Sequence, residues 1–97
     1  MIMDRNYFDL TGQAALVTGC SSGIGIQMAK ALASAGANIV AVARRVERVE
    51  AVAKEIAEEF GVKTLALHCD VRDTASVESV VDAALETFGR LDIVVNN

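Results

Sequence analysis

A parallel α/β sheet is the fold this sequence predicts, and three observations predict it. Four short apolar runs, at residues 14–17, 39–43, 64–67 and 93–95, are continuous rather than alternating. Strands covered on both faces read that way. Three longer stretches with helical period lie between them, and neither a repeat nor a linker interrupts the order. The resulting β-α-β-α-β-α-β sequence implies right-handed crossovers and a doubly wound sheet, here partial. Its expected strand order is 3-2-1-4, with the crevice beside strands one and four.

Each element has its own signals. Strand one, "AALV", runs into "TGCSSGIG", which holds Gly19, Gly23 and Gly25 within seven positions. Helix one is expected from Ile24, with Met28 and Leu32 repeating at i, i+4 and Gly36 as the stop. Strand two ends in "AVARR". Helix two carries an apolar stripe of Val46, Val49, Val52, Ile56 and Phe60 among charged residues that include Arg48, and Gly61 closes it. Strand three leads into "HCDV". Helix three places Val77, Val81, Ala84 and Phe88 on one face, with Asp73 or Thr74 as N-cap and Gly89 as the stop. Strand four is "IVV".

Composition narrows the function classes. Ninety-seven residues make one domain at most, and 53% hydrophobic with 23% charged residues is a globular balance. A net charge of −4, with the basic residues scattered apart from Arg44 and Arg45, argues against nucleic acid or an anionic membrane as partner. No segment approaches the ~20 apolar residues of a membrane span, and the N-terminus has no run of signal-peptide type. A soluble cytoplasmic protein is expected. Cys20 and Cys69 are too few and too far apart for a disulfide framework or a four-ligand zinc site. His68, Cys69 and Asp70 are adjacent on a strand and alternate between its faces, so no metal site is expected.

The glycines sit where strand one hands over to helix one. Unpaired N–H groups and the positive end of the helix dipole favour an anion there, and close approach requires missing side chains. Gly19 allows the sharp turn, Gly23 opens the backbone to a pyrophosphate, and Gly25 lets the helix pack close, while Ser21 and Ser22 add hydroxyls. The spacing is T-G-x-x-x-G-x-G. It is neither the common G-x-G-x-x-G fingerprint nor a Walker A loop, which would end in Gly-Lys-Ser/Thr.

From Thr18 to Gly25, Ile24 included, the pattern resembles the T-G-x-x-x-G-I-G hallmark of the short-chain dehydrogenase/reductase family, in its N-terminal, cofactor-binding half. The resemblance runs from about Phe8 to Asn97. It implies a Rossmann-type fold and several further site residues. Asp70 would hydrogen-bond the adenine amino group, and Val71 would lie against the ring. "DIVVNN" resembles the start of the family's N-N-A-G motif, which makes Asn96 and Asn97 its two asparagines. Taken alone, Asp70 could equally cap the turn after its strand, and Asn96 could serve backbone groups between strands.

In the general fold an acid at the end of strand two holds the ribose 2′-hydroxyl of NAD. Ala43 occupies that place here, followed by Arg44 and Arg45. Without a carboxylate to repel a 2′-phosphate, and with a guanidinium to pair with it, NADP is the expected cofactor and NAD the alternative.

The resemblance implies hydride transfer between a nicotinamide and a carbonyl or alcohol carbon. Its catalytic Ser and Tyr-x-x-x-Lys lie beyond N-N-A-G, and no catalytic residue can be named within residues 1–97. Tyr7, the only tyrosine, has no lysine four positions on. Residues 1–97 are therefore expected to be the N-terminal dinucleotide-binding portion of one Rossmann-type domain in a longer, homo-oligomeric enzyme. By itself the chain would be inactive, with a bare edge at strand four. Two other classes stay open: a dinucleotide-binding module without chemistry, and an S-adenosylmethionine methyltransferase, which the glycine spacing and the basic pair disfavour. The substrate is not legible. Sugars and polyols, oxoacyl thioesters, steroids and simple ketones are all compatible, and "YFDLTG" leans slightly toward sugar- and polyol-oxidising members.

Overall fold

The computed structural model describes residues 9–97, so Tyr7 and Phe8 lie outside the described residues. Its elements are β1 (Ala14–Val17), α1 (Gly23–Ser34), β2 (Asn38–Ala43), α2 (Val46–Phe60), β3 (Thr64–His68), α3 (Thr74–Phe88) and β4 (Ile93–Val95). All strand pairs are parallel, in the order β3-β2-β1-β4. That is the order expected from the alternation.

Two apolar layers flank the sheet. Ala15 and Val17 of β1 and Ile39, Ala41 and Ala43 of β2 pack under Ala29 and Ala33 of α1 and Val49, Ala53 and Ile56 of α2. On the other face, Leu16, Val40 and Val42 meet Val80 and Ala84 of α3. Alternate residues of the same strand serve opposite layers, which is why the strands read as continuous apolar runs. Helices α2 and α3 end at Gly61 and Gly89, and α3 is capped by Asp73, whose carboxylate accepts from the Ala75 N–H at 3.1 Å.

Helix α1 departs from expectation. Its buried stripe is Gly25, Ala29 and Ala33, one position out of step with the larger residues. Ile24 is 66% exposed and Met28 38% exposed, while Leu32 is half-buried. Small side chains bring this helix close to the sheet, and close approach leaves no room on that face for larger ones. A similar shift makes Val80 a buried residue of α3, with Val77 and Val81 half-buried at its flanks.

Strand β4 joins the sheet through β1, with Ala15, Leu16 and Val17 opposite Ile93, Val94 and Val95. Val94 is 60% exposed. The connection into β4 is latched by Asp92. Its Oδ2 accepts from the Ala14 N–H at 2.9 Å, and the Arg90 guanidinium holds both carboxylate oxygens at 2.8 Å.

Candidate functional site

The C-terminal ends of β1, β2 and β4 converge with the start of α1. Gly19 follows β1 with φ +67°, a conformation that costs glycine little, and its carbonyl oxygen turns toward α1. That oxygen accepts from the Ser22 N–H at 3.2 Å and the Ser22 hydroxyl at 3.0 Å. Ser22 is the N-cap of α1, its Oγ accepting from the Gly25 N–H at 3.4 Å. Its hydroxyl proton is thus spent inside the loop, whereas Ser21, half-buried, lines the neighbouring clefts. A Cβ on Gly25 would stand 2.2 Å from the Gly19 oxygen, so the helix start and the loop can meet only around a glycine. At Gly23 the equivalent position is open space.

The end of β4 is tied to the same loop. Thr18, buried at the end of β1, accepts the Asn97 N–H on Oγ1 at 2.8 Å. Its own proton lies between the Val95 carbonyl at 3.3 Å and Asn96 Oδ1 at 3.4 Å. The Asn97 side-chain amide donates to Ser22 Oγ at 3.4 Å. Sequence reasoning gave Thr18 no role beyond its place in the motif, yet it joins β1, β4 and the loop.

A cleft of about 180 Å³ opens beside this junction, lined in part by Gly19, Ser21, Arg44, Val71 and Asn97. A broader one of about 710 Å³ adjoins it, lined by Ser21, Arg44, Arg45, Arg48, His68 and Asp70. Of the residues singled out in the sequence, Gly19, Ser21, Arg44, Arg45, Asp70, Val71 and Asn97 line these clefts. Ser22, Gly23, Gly25 and Asn96 build the loop and its anchor, and Ile24 projects outward. Arg48 and His68 were missed. The sequence places Arg48 among the solvent-facing charges of α2, and only strand pairing brings His68 beside Ala43.

Asp70 already has partners. Its carboxylate accepts from the Arg72 N–H at 3.0 Å and from the guanidinium at 3.1 Å on each oxygen. These bonds hold its pKa down at about 2, and Arg44 adds a weaker electrostatic pull. The turn-forming alternative for Asp70 is therefore realised. An ionised carboxylate has about four acceptor positions, so capacity for a ligand amino group remains. Cys20 is fully buried, and burial pushes its thiol up to about 11, which removes it as a nucleophile near neutral pH.

The loop fits a dinucleotide on the evidence of its own backbone. Gly19 is left-handed, Gly25 is sterically obligatory, and the space at Gly23 is open at the N-terminus of a twelve-residue helix.

Parallel strands in the order 3-2-1-4, with a glycine loop opening the first helix, define a Rossmann-type α/β protein. The chain belongs to the short chain dehydrogenase family, whose model matches residues 13–97. D-threitol dehydrogenase of Mycolicibacterium smegmatis is 46% identical over 90 residues, covering 93% of this chain and 34% of that protein. L-sorbose reductase from Gluconobacter frateurii, solved with NADPH and L-sorbose, superposes with a TM-score of 0.88 and 42% identity. That match covers 93% of this chain and 34% of the reductase. NAD+-bound xylitol dehydrogenase superposes with a TM-score of 0.85 and 32% identity, over 91% of this chain and 34% of the dehydrogenase. The chain thus spans about a third of the length of these relatives.

Proposed function

We propose that residues 1–97 are the cofactor-binding portion of an NADP-dependent oxidoreductase acting on a carbonyl or alcohol substrate. The observation that carries this is the arginine-lined cleft beside a glycine loop shaped for close backbone approach. The first turn of α1 and Ser21 would hold the pyrophosphate. Val71 and Asp70 would flank the adenine, and Asn96 and Asn97 would border the ribose on the nicotinamide side. Arg44 and Arg45 would receive the 2′-phosphate, since Ala43 offers no carboxylate against it. When bound, the nicotinamide supplies the hydride acceptor or donor. No residue among the 97 is given the proton-transfer role. The names of relatives that act on threitol, sorbose and xylitol favour a polyol or sugar as substrate. A cytoplasmic homo-oligomer is the setting proposed for the whole enzyme.

The test is titration of the protein with NADPH and NADH, followed by the Arg44→Asp variant. Arg44→Asp should cost NADPH binding about 1.5–3 kcal/mol, more than tenfold, and leave NADH binding unchanged or improved. Equal losses for both cofactors would overturn the choice of NADP. Absence of binding to either would overturn the dinucleotide site.

A further inference from the structure

The larger cleft holds more positive charge than one 2′-phosphate ligand pair requires. Arg44, Arg45 and Arg48 all line it, in a protein with a net charge of −4. Elsewhere among the described residues Lys30 holds Glu55, Arg72 holds Asp70 and Arg90 holds Asp92, while Lys54 and Lys63 stand singly and exposed, away from the cleft. None of the three cleft arginines forms a salt bridge to another described residue. The carboxylate on the cleft wall, Asp70, is already gripped by Arg72 on both oxygens.

Two of them stand at the start of α2, where positive charge is disfavoured unless an anion offsets it. Arg45 is the N-cap residue and its side chain caps nothing, while Arg48 stands in the first turn. Cations are disfavoured at that end of a helix, where the dipole and the unpaired N–H groups are positive. Glu47 is the one acid of the turn. His68, exposed at the end of β3, also lines this cleft and is paired in register with Ala43, the residue before Arg44. Strand pairing thus brings a ring nitrogen to a cleft that three guanidinium groups already line.

We infer that Arg48 and His68 complete a subsite for a phosphate monoester dianion, acting with Arg44 and Arg45 as specificity-determining residues. The dianion offsets the charge gathered at the start of α2, and the imidazole donates from the end of β3. This rests on the NADP reading and adds two residues to it.

Binding measured by calorimetry at pH 6.5 tests the inference without turnover. The probes are adenosine 2′,5′-bisphosphate and adenosine 5′-monophosphate, which differ only in the 2′-phosphate. The unsubstituted protein should prefer the bisphosphate by more than tenfold. Arg48→Gln should shrink that preference about five- to tenfold and His68→Gln about threefold, with monophosphate affinity little changed. Arg48→Lys should recover part of it. Lys54→Gln, an exposed charge further along α2, controls for the general field and should leave the preference intact. Both tested side chains are exposed, and circular dichroism verifies that the variants fold. If the unsubstituted protein shows no preference, the NADP reading itself fails. If the preference exists and survives both Arg48→Gln and His68→Gln, or falls equally in Lys54→Gln, NADP stands and this subsite does not.

Discussion

The carbonyl oxygen of Gly19 occupies the space that any side chain on Gly25 would need, with only 2.2 Å to the position of a Cβ. The Asn97 amide nitrogen closes the other side at 3.0 Å. Gly25→Ala must therefore displace backbone, and overpacking of this kind costs ~1–3 kcal/mol. Gly23 differs, because a Cβ there meets nothing. Gly23→Val should keep the fold yet lose NADPH affinity at least tenfold through obstruction at the helix start. Urea denaturation with cofactor titration separates the two. Weak binding and lost stability should not appear in the same variant if the glycines have these distinct roles.

Asp70 links the arginine-lined cleft to pH. Its pKa of about 2 lies below the ~3.9 of an unfolded aspartate, through hydrogen bonds from the Arg72 side chain and backbone. A depressed carboxyl pKa contributes stability above the unfolded value and loses it as pH falls through the folded one. The contribution is present above about pH 4 and disappears toward pH 2. Arg72→Gln should raise the Asp70 titration midpoint toward the ordinary carboxylate range, read from its side-chain carbon resonance. An unmoved midpoint would show that the guanidinium does not hold the carboxylate in solution.

Asp92 ties the start of β4 to β1 through the Ala14 N–H, with Arg90 steadying its carboxylate. Asp92→Ala removes the acceptor and frees the guanidinium together. Faster amide exchange at Ala14 and along β4 is expected, with smaller changes in β2 and β3. Asp92→Asn, which keeps an acceptor for Ala14 but not the ion pair, should fall between. Uniform exchange changes across the sheet would instead indicate global destabilisation. Because β4 carries Asn96 and Asn97 to the glycine loop, the same variants should loosen the Asn97 contact to Thr18.

The elements and their order were legible because the signals are local. The continuous apolar runs have the length of strands, Gly61 and Gly89 stop helices, and the glycines of residues 19–25 mark a strand-to-helix turn. Alternation with crossovers of one hand then leaves few ways to arrange four parallel strands, and 3-2-1-4 is the one adopted. The loop's tight turn followed from the same local reasoning, since a run this rich in glycine marks backbone that side chains would obstruct.

Tertiary structure decided the partners. Period alone favoured the large residues Ile24, Met28 and Leu32 of α1 as core, but the sheet accepts only Gly25, Ala29 and Ala33 at that distance. Ser22 spends its proton on Gly19, and Asp70 is clamped by Arg72, contacts that depend on how the backbone turns. Thr18 meets Asn97 across 79 positions of sequence, and His68 comes beside Ala43 through strand register. Spacing along a chain reports which residues share a face of one element. Which faces then meet is set by register, crossover and the thickness of the layer between, and those exist only once the chain has folded.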